Sequence, residues 1–232
     1  MELSGPLDQP VREEITVLLE KIDFSGAKVL ELGCGSAVRT EQMARETDLI
    51  SIVGAEIDLV AHQKNLIKDI DKVQFECFGA QAIEADSASF DAVIMLKSLH
   101  HVPETLMRQS MSEIRRVLKP GGLAYLSEPV FQGELNEVIK LFHDEERVRK
   151  IAFESVLEET RSGRLELVEQ YFYRSPVRFD SFDQFRRSVM DATYQTHQAN
   201  PGLVERVRVS FASHKRDNLV PPFLFETPNR VD

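Results

Sequence analysis

Tryptophan is absent from the 232 residues, and cysteine occurs only at Cys34 and Cys77. Two thiols argue against a disulfide framework. So few sulfur ligands also argue against a zinc site, and no metal is expected. No apolar run approaches the roughly 20 residues that cross a bilayer. Residues 1–10 lack a basic segment followed by an apolar one, so neither a membrane span nor a secretory signal is expected and the protein is expected to be cytoplasmic. Basic charge is in deficit too: 28 Lys and Arg face 38 Asp and Glu, a formal net charge of −10. That balance argues against nucleic acid as the main partner, because phosphate binding rests on basic patches. Internal repeats and low-complexity tracts are also missing. What remains, 42% hydrophobic and 28% charged, is the composition of a globular chain with room for one sizeable domain and a modest insertion.

The first half alternates strand-like and helical stretches. Apolar residues at Val11, Ile15, Leu18, Leu19 and Ile22 predict a leading helix. Strands are predicted at Lys28–Leu32, Ile50–Ile57, Val73–Phe78, Phe90–Leu96 and Gly122–Ser127, with helices at Val38–Glu46, Leu59–Ile70 and Glu104–Leu118 between them. Such alternation implies a parallel sheet covered by helices on both faces, with ligands bound beyond the carboxyl ends of the strands. After Glu128 the rhythm changes. Gly133 to Ser162 reads as one or two charged helices ended by Gly163, Leu165–Tyr173 as a strand, and Ser181-x-x-Gln184 as a capping box opening a helix through Tyr194. Pro201–His214 is expected to be helical and Leu219–Val231 to contain a final edge strand. The expected division is a core over 1–128, a helical cap over 129–163, and a segment over 164–232 that completes the sheet and shapes a substrate pocket.

Chemistry concentrates in Val29-Leu-Glu-Leu-Gly-Cys-Gly-Ser36, an apolar strand running into a glycine turn. Gly33 and Gly35 allow a tight turn and close approach of backbone to a ligand. Glu31, two residues before the first glycine, would repel a pyrophosphate and attract an ammonium. Dinucleotide binding calls for G-x-G-x-x-G, and the third glycine position is Val38. The loop therefore suits a cationic, zwitterionic nucleotide such as S-adenosyl-L-methionine.

Further motifs follow in order: Ile52-Val-Gly-Ala-Glu-Ile-Asp58, Ser89-Phe-Asp-Ala-Val-Ile94, Ser98-Leu-His-His-Val102 and Leu118-Lys-Pro-Gly-Gly122. Across residues 25–130 this series resembles the class I S-adenosylmethionine-dependent methyltransferases, in particular the small-molecule branch with a ubiquinone/menaquinone-type domain. The resemblance implies a Rossmann-like α/β fold with a seven-stranded, mostly parallel sheet and a helical insertion after the fifth strand. It implies that Glu31 and Gly33, Cys34 and Gly35 hold the methionine moiety and that Glu56 receives the ribose hydroxyls, with Asp58 as competitor. Both acids could instead serve the following helix through its dipole. Adenine would lie by Ile57, Gly79, Ala80 and Gln81. Gly79 stands where the family usually carries an acid, which leaves room for a modified cofactor. Leu96 and His101 would flank the cofactor, His101 by packing.

His100 and Glu128 are the candidate proton acceptors; each has a bland alternative, packing for the imidazole and solvation for the acid. Lys97, Tyr171, Tyr173, Arg178 and Tyr194 are candidates for the substrate pocket. His62, His143 and His214 read as helix-surface residues without a role. The function implied is methyl transfer to a small-molecule O, N, S or C nucleophile. The alternatives are a cofactor-binding pseudoenzyme or regulator, and a methyltransferase of protein or RNA. The apolar Pro221–Phe225 could serve a homodimer interface.

Overall fold

The computed structural model describes residues 1–6, 8–191, 200–216, 219 and 221–232. Its elements run α1 (Glu14–Lys21), β1 (Lys28–Leu32), α2 (Val38–Glu46), β2 (Ser51–Ala55), α3 (Leu59–Leu66), β3 (Val73–Glu76), β4 (Phe90–Leu96), α4 (Met107–Val117), β5 (Leu118–Pro129), α5 (Glu134–Ile139), α6 (Glu146–Arg161), β6 (Tyr171–Phe179), α7 (Phe182–Phe185), α8 (Pro201–Ala212) and β7 (Phe223–Val231). All seven strands form one sheet in the order β3-β2-β1-β4-β5-β7-β6. The pairs from β3 to β5 are parallel, and β7 runs antiparallel to both β5 and β6. Chain order reverses between β1 and β4, so the switch point lies at the carboxyl ends of those two strands, where Gly33 and Lys97 follow.

The apolar runs of β1 and β4 are continuous because each face of the sheet is buried. On one face Leu30, Leu32, Val93, Met95 and Leu126 pack with Met111 and Ile114 of α4 and Ala152 and Val156 of α6. On the other, Val29, Ile52, Ala92, Ile94 and Tyr125 pack with Val17 and Leu18 of α1 and Met43 and Ala44 of α2. A third core joins α5, β6, α7, α8 and β7 around Phe179, Phe185, Phe211 and Phe225.

Several expectations need correction. The leading helix starts at Glu14, and Val11 instead bridges β6 beside Arg174 in parallel fashion. The penultimate strand is Tyr171–Phe179, not Leu165–Tyr173. Alternating Leu165 and Leu167 imitate a strand, but Val168 is 78% exposed and the nine-residue ladder with β7 sets where pairing begins. The last strand is not at an edge: β7 lies between β5 and β6. Pro221 and Pro222 precede it, and Phe223 and Phe225 are buried in the third core instead of offering an apolar surface to a second copy. His62, read as a surface residue, is buried. The capping box forms at its first half, with Gln184 N–H donating to Ser181 Oγ at 3.2 Å. The helix it opens is short, α7 followed by a π-turn over Arg186–Met190. Tyr194 lies outside the described residues. None of the helices among the described residues is long and apolar enough to cross a membrane.

Candidate active site

The turn after β1 is held from three sides. Gly33 and Cys34 donate their N–H groups to the Ala55 carbonyl at 2.9 and 3.1 Å, tying the loop to the end of β2. Asn65 of α3 donates Nδ2–H to the Gly35 carbonyl at 2.7 Å, a clamp the sequence did not advertise. Ser98 donates Oγ–H to the Leu32 carbonyl at 2.8 Å. Gly33 sits at φ +73°, and a Cβ there would stand 2.6 Å from the Ser98 Cβ. Gly33→Ala is therefore expected to lower stability by about 1–2 kcal/mol through the left-handed backbone alone, with more from the overlap, read as a lower denaturant midpoint. A midpoint equal to that of the unaltered chain would show that the turn tolerates a side chain.

Two acids converge on this turn. Glu56 ends β2 and accepts from Gly35 N–H at 2.7 Å through one oxygen and from Asp58 N–H at 2.8 Å through the other. A carboxylate offers about four lone-pair sites, so each oxygen keeps one for a further donor. Asp58, its competitor, is the N-cap of α3, accepting from Val60 and Ala61 N–H. Glu31 points to the α1/α2 face and is 2% exposed. Thr40 Oγ1–H donates to it at 2.5 Å. Burial pushes the Glu31 carboxyl up to about 7, against the Thr40 hydrogen bond and with repulsion from Glu14 assisting. Cys34 is buried, and burial followed by the two nearby acids pushes its thiol well up, so it is no nucleophile.

The expected adenine side has its own arrangement. Ile57 is exposed and Ala80 is a core residue. A Cβ at Gly79 would stand 2.5 Å from Gln81 Oε1, so the Gln81 amide fills the space that a side chain at position 79 would take. Leu96 packs against the core on the α1/α2 face.

Beyond the turn are two polar centres on opposite faces. On the α1/α2 face the hub is Glu14, which sequence reading missed. Its carboxylate takes Lys97 Nζ at 3.3 Å, Ser127 Oγ–H at 3.3 Å and Tyr173 Oη–H at 3.4 Å, with Arg39 Nε at 4.0 Å. Glu14 was hidden because its helix looks merely amphipathic; the one signal was an acid at the first turn of a helix that covers the strand ends. Lys97 holds a left-handed φ of +55°, a strained conformation typical of functional turns. Burial raises the Tyr173 phenol, with the Glu14 charge adding to it.

On the α4/α6 face, β5 brings in Glu128 and the turn Leu99–His101 brings in His100; both are buried. His100 Nδ1 lies 2.5 Å from Glu128 Oε2, and Leu99 N–H donates to Glu128 Oε1 at 2.9 Å. Burial alone would raise the Glu128 carboxyl, but the His100 charge and hydrogen bond, Leu99 N–H and Arg230 together hold it below the ordinary carboxylate range. Glu145, just before α6, stands 3.7 Å from His100 Nε2 and 3.0 Å from His143 Nε2. Arg149 Nη2 meets Glu145 Oε2 at 2.5 Å. The His101 ring lies 4.1 Å from that of His100, tilted by 42°. His101 is exposed, yet desolvation by the surrounding chain, then the His100 charge, lower it to about 4.

The remaining pocket candidates scatter. Tyr171 stacks on Tyr173 at 6.0 Å with Lys21 over its ring. It lines a 680 Å³ cavity that runs along β5 from Leu118 to Leu126, beside Arg164–Glu169. Arg178 is exposed and paired with Glu13 at 3.1 Å.

Residues 29–122 match a family described as methyltransferase domain. That stretch is less than half of the chain and runs from β1 into β5. It is 30% identical over 141 residues to methyltransferase GfsG of Streptomyces halstedii, covering 57% of this chain and 49% of that protein. It is 31% identical over 121 residues to the ubiquinone biosynthesis O-methyltransferase of Xanthomonas oryzae pv. oryzae, covering 51% and 48%. The aligned part thus spans about half the length of the curated relatives. The YcgJ protein of Bacillus subtilis shares the fold, with a TM-score of 0.61 at 16% identity over 94% of this chain and 95% of that one. The matched stretch contains Glu31, the Gly33–Gly35 turn, Glu56 and His100. Glu14, Glu128 and the His143–Glu145 group fall outside the matched stretch.

Proposed function

We propose that this chain binds S-adenosylmethionine at the Gly33–Gly35 turn and transfers its methyl group to a small-molecule nucleophile. The observation that carries this reading is the convergence of Glu31 and Glu56, from adjacent strand ends, on a glycine turn with a positive φ at both Gly33 and Gly35. The donor set fits the group. A buried carboxylate suits the ammonium, a carboxylate with two spare lone-pair sites suits the ribose diol, and no heavy atom outside its chain neighbours lies within 4 Å of a Cβ built at Gly35. The Gln81 amide, carrying both a donor and acceptors, replaces the missing acid at position 79 on the adenine side. When bound, S-adenosylmethionine supplies an electrophilic methyl whose C–S bond breaks as the nucleophile attacks, leaving S-adenosylhomocysteine.

The chain's own contribution is alignment and proton handling. Holding acceptor and methyl in line is worth several kcal/mol of barrier, on the order of 7–11 in well-oriented systems. For a hydroxyl or amine acceptor, Glu128 fixes the proton of His100 on Nδ1 and leaves Nε2 to take the acceptor's proton. The Glu14–Lys97–Tyr173 group lies across the sheet and would orient polar parts of the acceptor. The −10 charge supports a small acceptor over RNA.

The test is calorimetric titration of the full chain with S-adenosylmethionine, S-adenosylhomocysteine and NAD. Both adenosyl ligands are expected to bind and NAD is not. Glu56→Ala should weaken binding by about 1–3 kcal/mol, the worth of a hydrogen bond to a charged group. Absence of binding by either adenosyl ligand, or full affinity in Glu56→Ala, would overturn the reading.

A further inference from the structure

The His100 environment is richer than proton transfer needs. His100 Nε2 faces Glu145 Oε1 at 3.7 Å, and His143 Nε2 lies 3.0 Å from that same oxygen. One ligand atom from each of His100, His101 and Glu145 fits within a span of 4.8 Å. A tetrahedral ion with bonds of about 2.0–2.1 Å holds its donors about 3.4 Å apart, and the His100–Glu145 pair, at 3.7 Å, is close to that separation. Three imidazoles and one carboxylate come from two short connections: the turn between β4 and α4, and the loop between α5 and α6.

We propose that His100, His101 and Glu145 form a binding site for a divalent transition metal of the zinc type, with His143 as the outer partner of Glu145. The surroundings match such a site in two respects. Glu128 accepts from His100 Nδ1, the carboxylate–histidine arrangement that fixes the tautomer and turns Nε2 toward a metal. Arg149 holds the second oxygen of Glu145 at 2.5 Å, leaving Oε1 toward the histidines. The exposed His101 supplies the entry path. The sequence had argued against zinc by counting sulfur, and nitrogen ligands brought together by folding answer that objection. Imidazole-rich sets favour zinc, nickel and copper over magnesium and calcium, which take oxygen. The ion would tie the segment before α6 to the strand ends. Resting on the proposed methyl transfer, one consequence follows: His100 Nε2 can hold either the ion or the acceptor's proton, so the two uses alternate.

The experiment is titration of the chelator-stripped full chain with zinc chloride and, in a parallel arm, magnesium chloride, followed by calorimetry and thermal melting. One equivalent of zinc is expected to bind and raise the melting temperature, with reversal by chelator and no response to magnesium. Glu145→Gln should weaken zinc binding by about 100-fold or more, and His143→Gln by about 10- to 100-fold, the usual cost of losing an outer partner. Two outcomes overturn the proposal: no stoichiometric zinc binding, or unchanged zinc affinity in both variants. Either would leave the His100, His101 and Glu145 cluster as a polar contact between the β4–α4 turn and the start of α6. S-adenosylmethionine titration of the same preparation reports separately on the proposed function, so failure of one is not failure of the other.

Discussion

S-adenosylmethionine should bind more weakly as pH falls, by about tenfold per unit below pH 7, because one proton must leave Glu31 for the ligand's ammonium to pair with it. The cause is burial. Glu31 is 2% exposed on the α1/α2 face, and its carboxyl is pushed up to about 7. Near neutrality the free protein is therefore a mixture of acid and carboxylate, and the cationic ligand selects the carboxylate. Between pH 7 and pH 5 the loss should reach about 50-fold. Glu31→Gln removes the titrating group, weakens binding at pH 8 and flattens the profile. Calorimetry in buffers of different ionisation enthalpy should show proton release on binding below pH 7. A pH-independent affinity for the unaltered chain between 5 and 8 would remove Glu31 from contact with the ligand.

Stability of the free protein carries the opposite sign. A carboxyl raised in the fold favours the protonated native state, so its contribution is fully present below about 4.5 and is lost as pH rises through about 7. The difference is on the order of 3 kcal/mol for a shift of this size. Ligand binding, which needs the ionised form, offsets that loss at high pH.

The glycine turn and the acids beside it were legible because backbone geometry writes itself into residue type. Gly33 and Gly35 mark positive φ, Glu31 and Glu56 sit at fixed offsets from strand ends, and parallel strands buried on both faces read as apolar runs. The two polar centres were not legible as groups, because their parts meet only through long-range packing. Glu14 reaches Tyr173 across 159 positions, and Glu145 reaches His100 through the docking of α6 on the β4–α4 turn. Neither pairing leaves a local spacing to find. The misplaced sixth strand has the same origin. Leu165 and Leu167 satisfy a period of two, but the ladder with β7 decides which residues join the sheet. Gly79 shows the reverse case, where a departure from the family pattern was visible, and the Gln81 amide filling its space became visible only in three dimensions.

Glu128→Gln should lower kcat for a hydroxyl or amine acceptor by about 10²- to 10⁴-fold, the range lost with a positioned general base, while the S-adenosylmethionine Kd changes little. Shape is not the reason. Glutamine keeps an oxygen that can accept from Leu99 N–H, as Glu128 Oε1 does at 2.9 Å. Its amide, however, donates toward His100 Nδ1, where the carboxylate accepted at 2.5 Å. The imidazole then carries its proton on Nε2, and the atom that should take the acceptor's proton is already protonated. Glu128→Ala differs in kind, because it strips a buried partner and should cost stability by about 3–5 kcal/mol. Comparing the two variants separates chemistry from folding: the glutamine should melt close to the unaltered chain and still fail to turn over. The assay belongs in chelator, so that an ion on His100 cannot stand in for a lost tautomer. An unchanged kcat in Glu128→Gln would move the proton acceptor off His100 and toward the Glu14–Lys97–Tyr173 group on the other face. There Glu14→Gln, with its hydrogen bonds to Ser127 and Tyr173 preserved in shape, would be the variant that loses turnover.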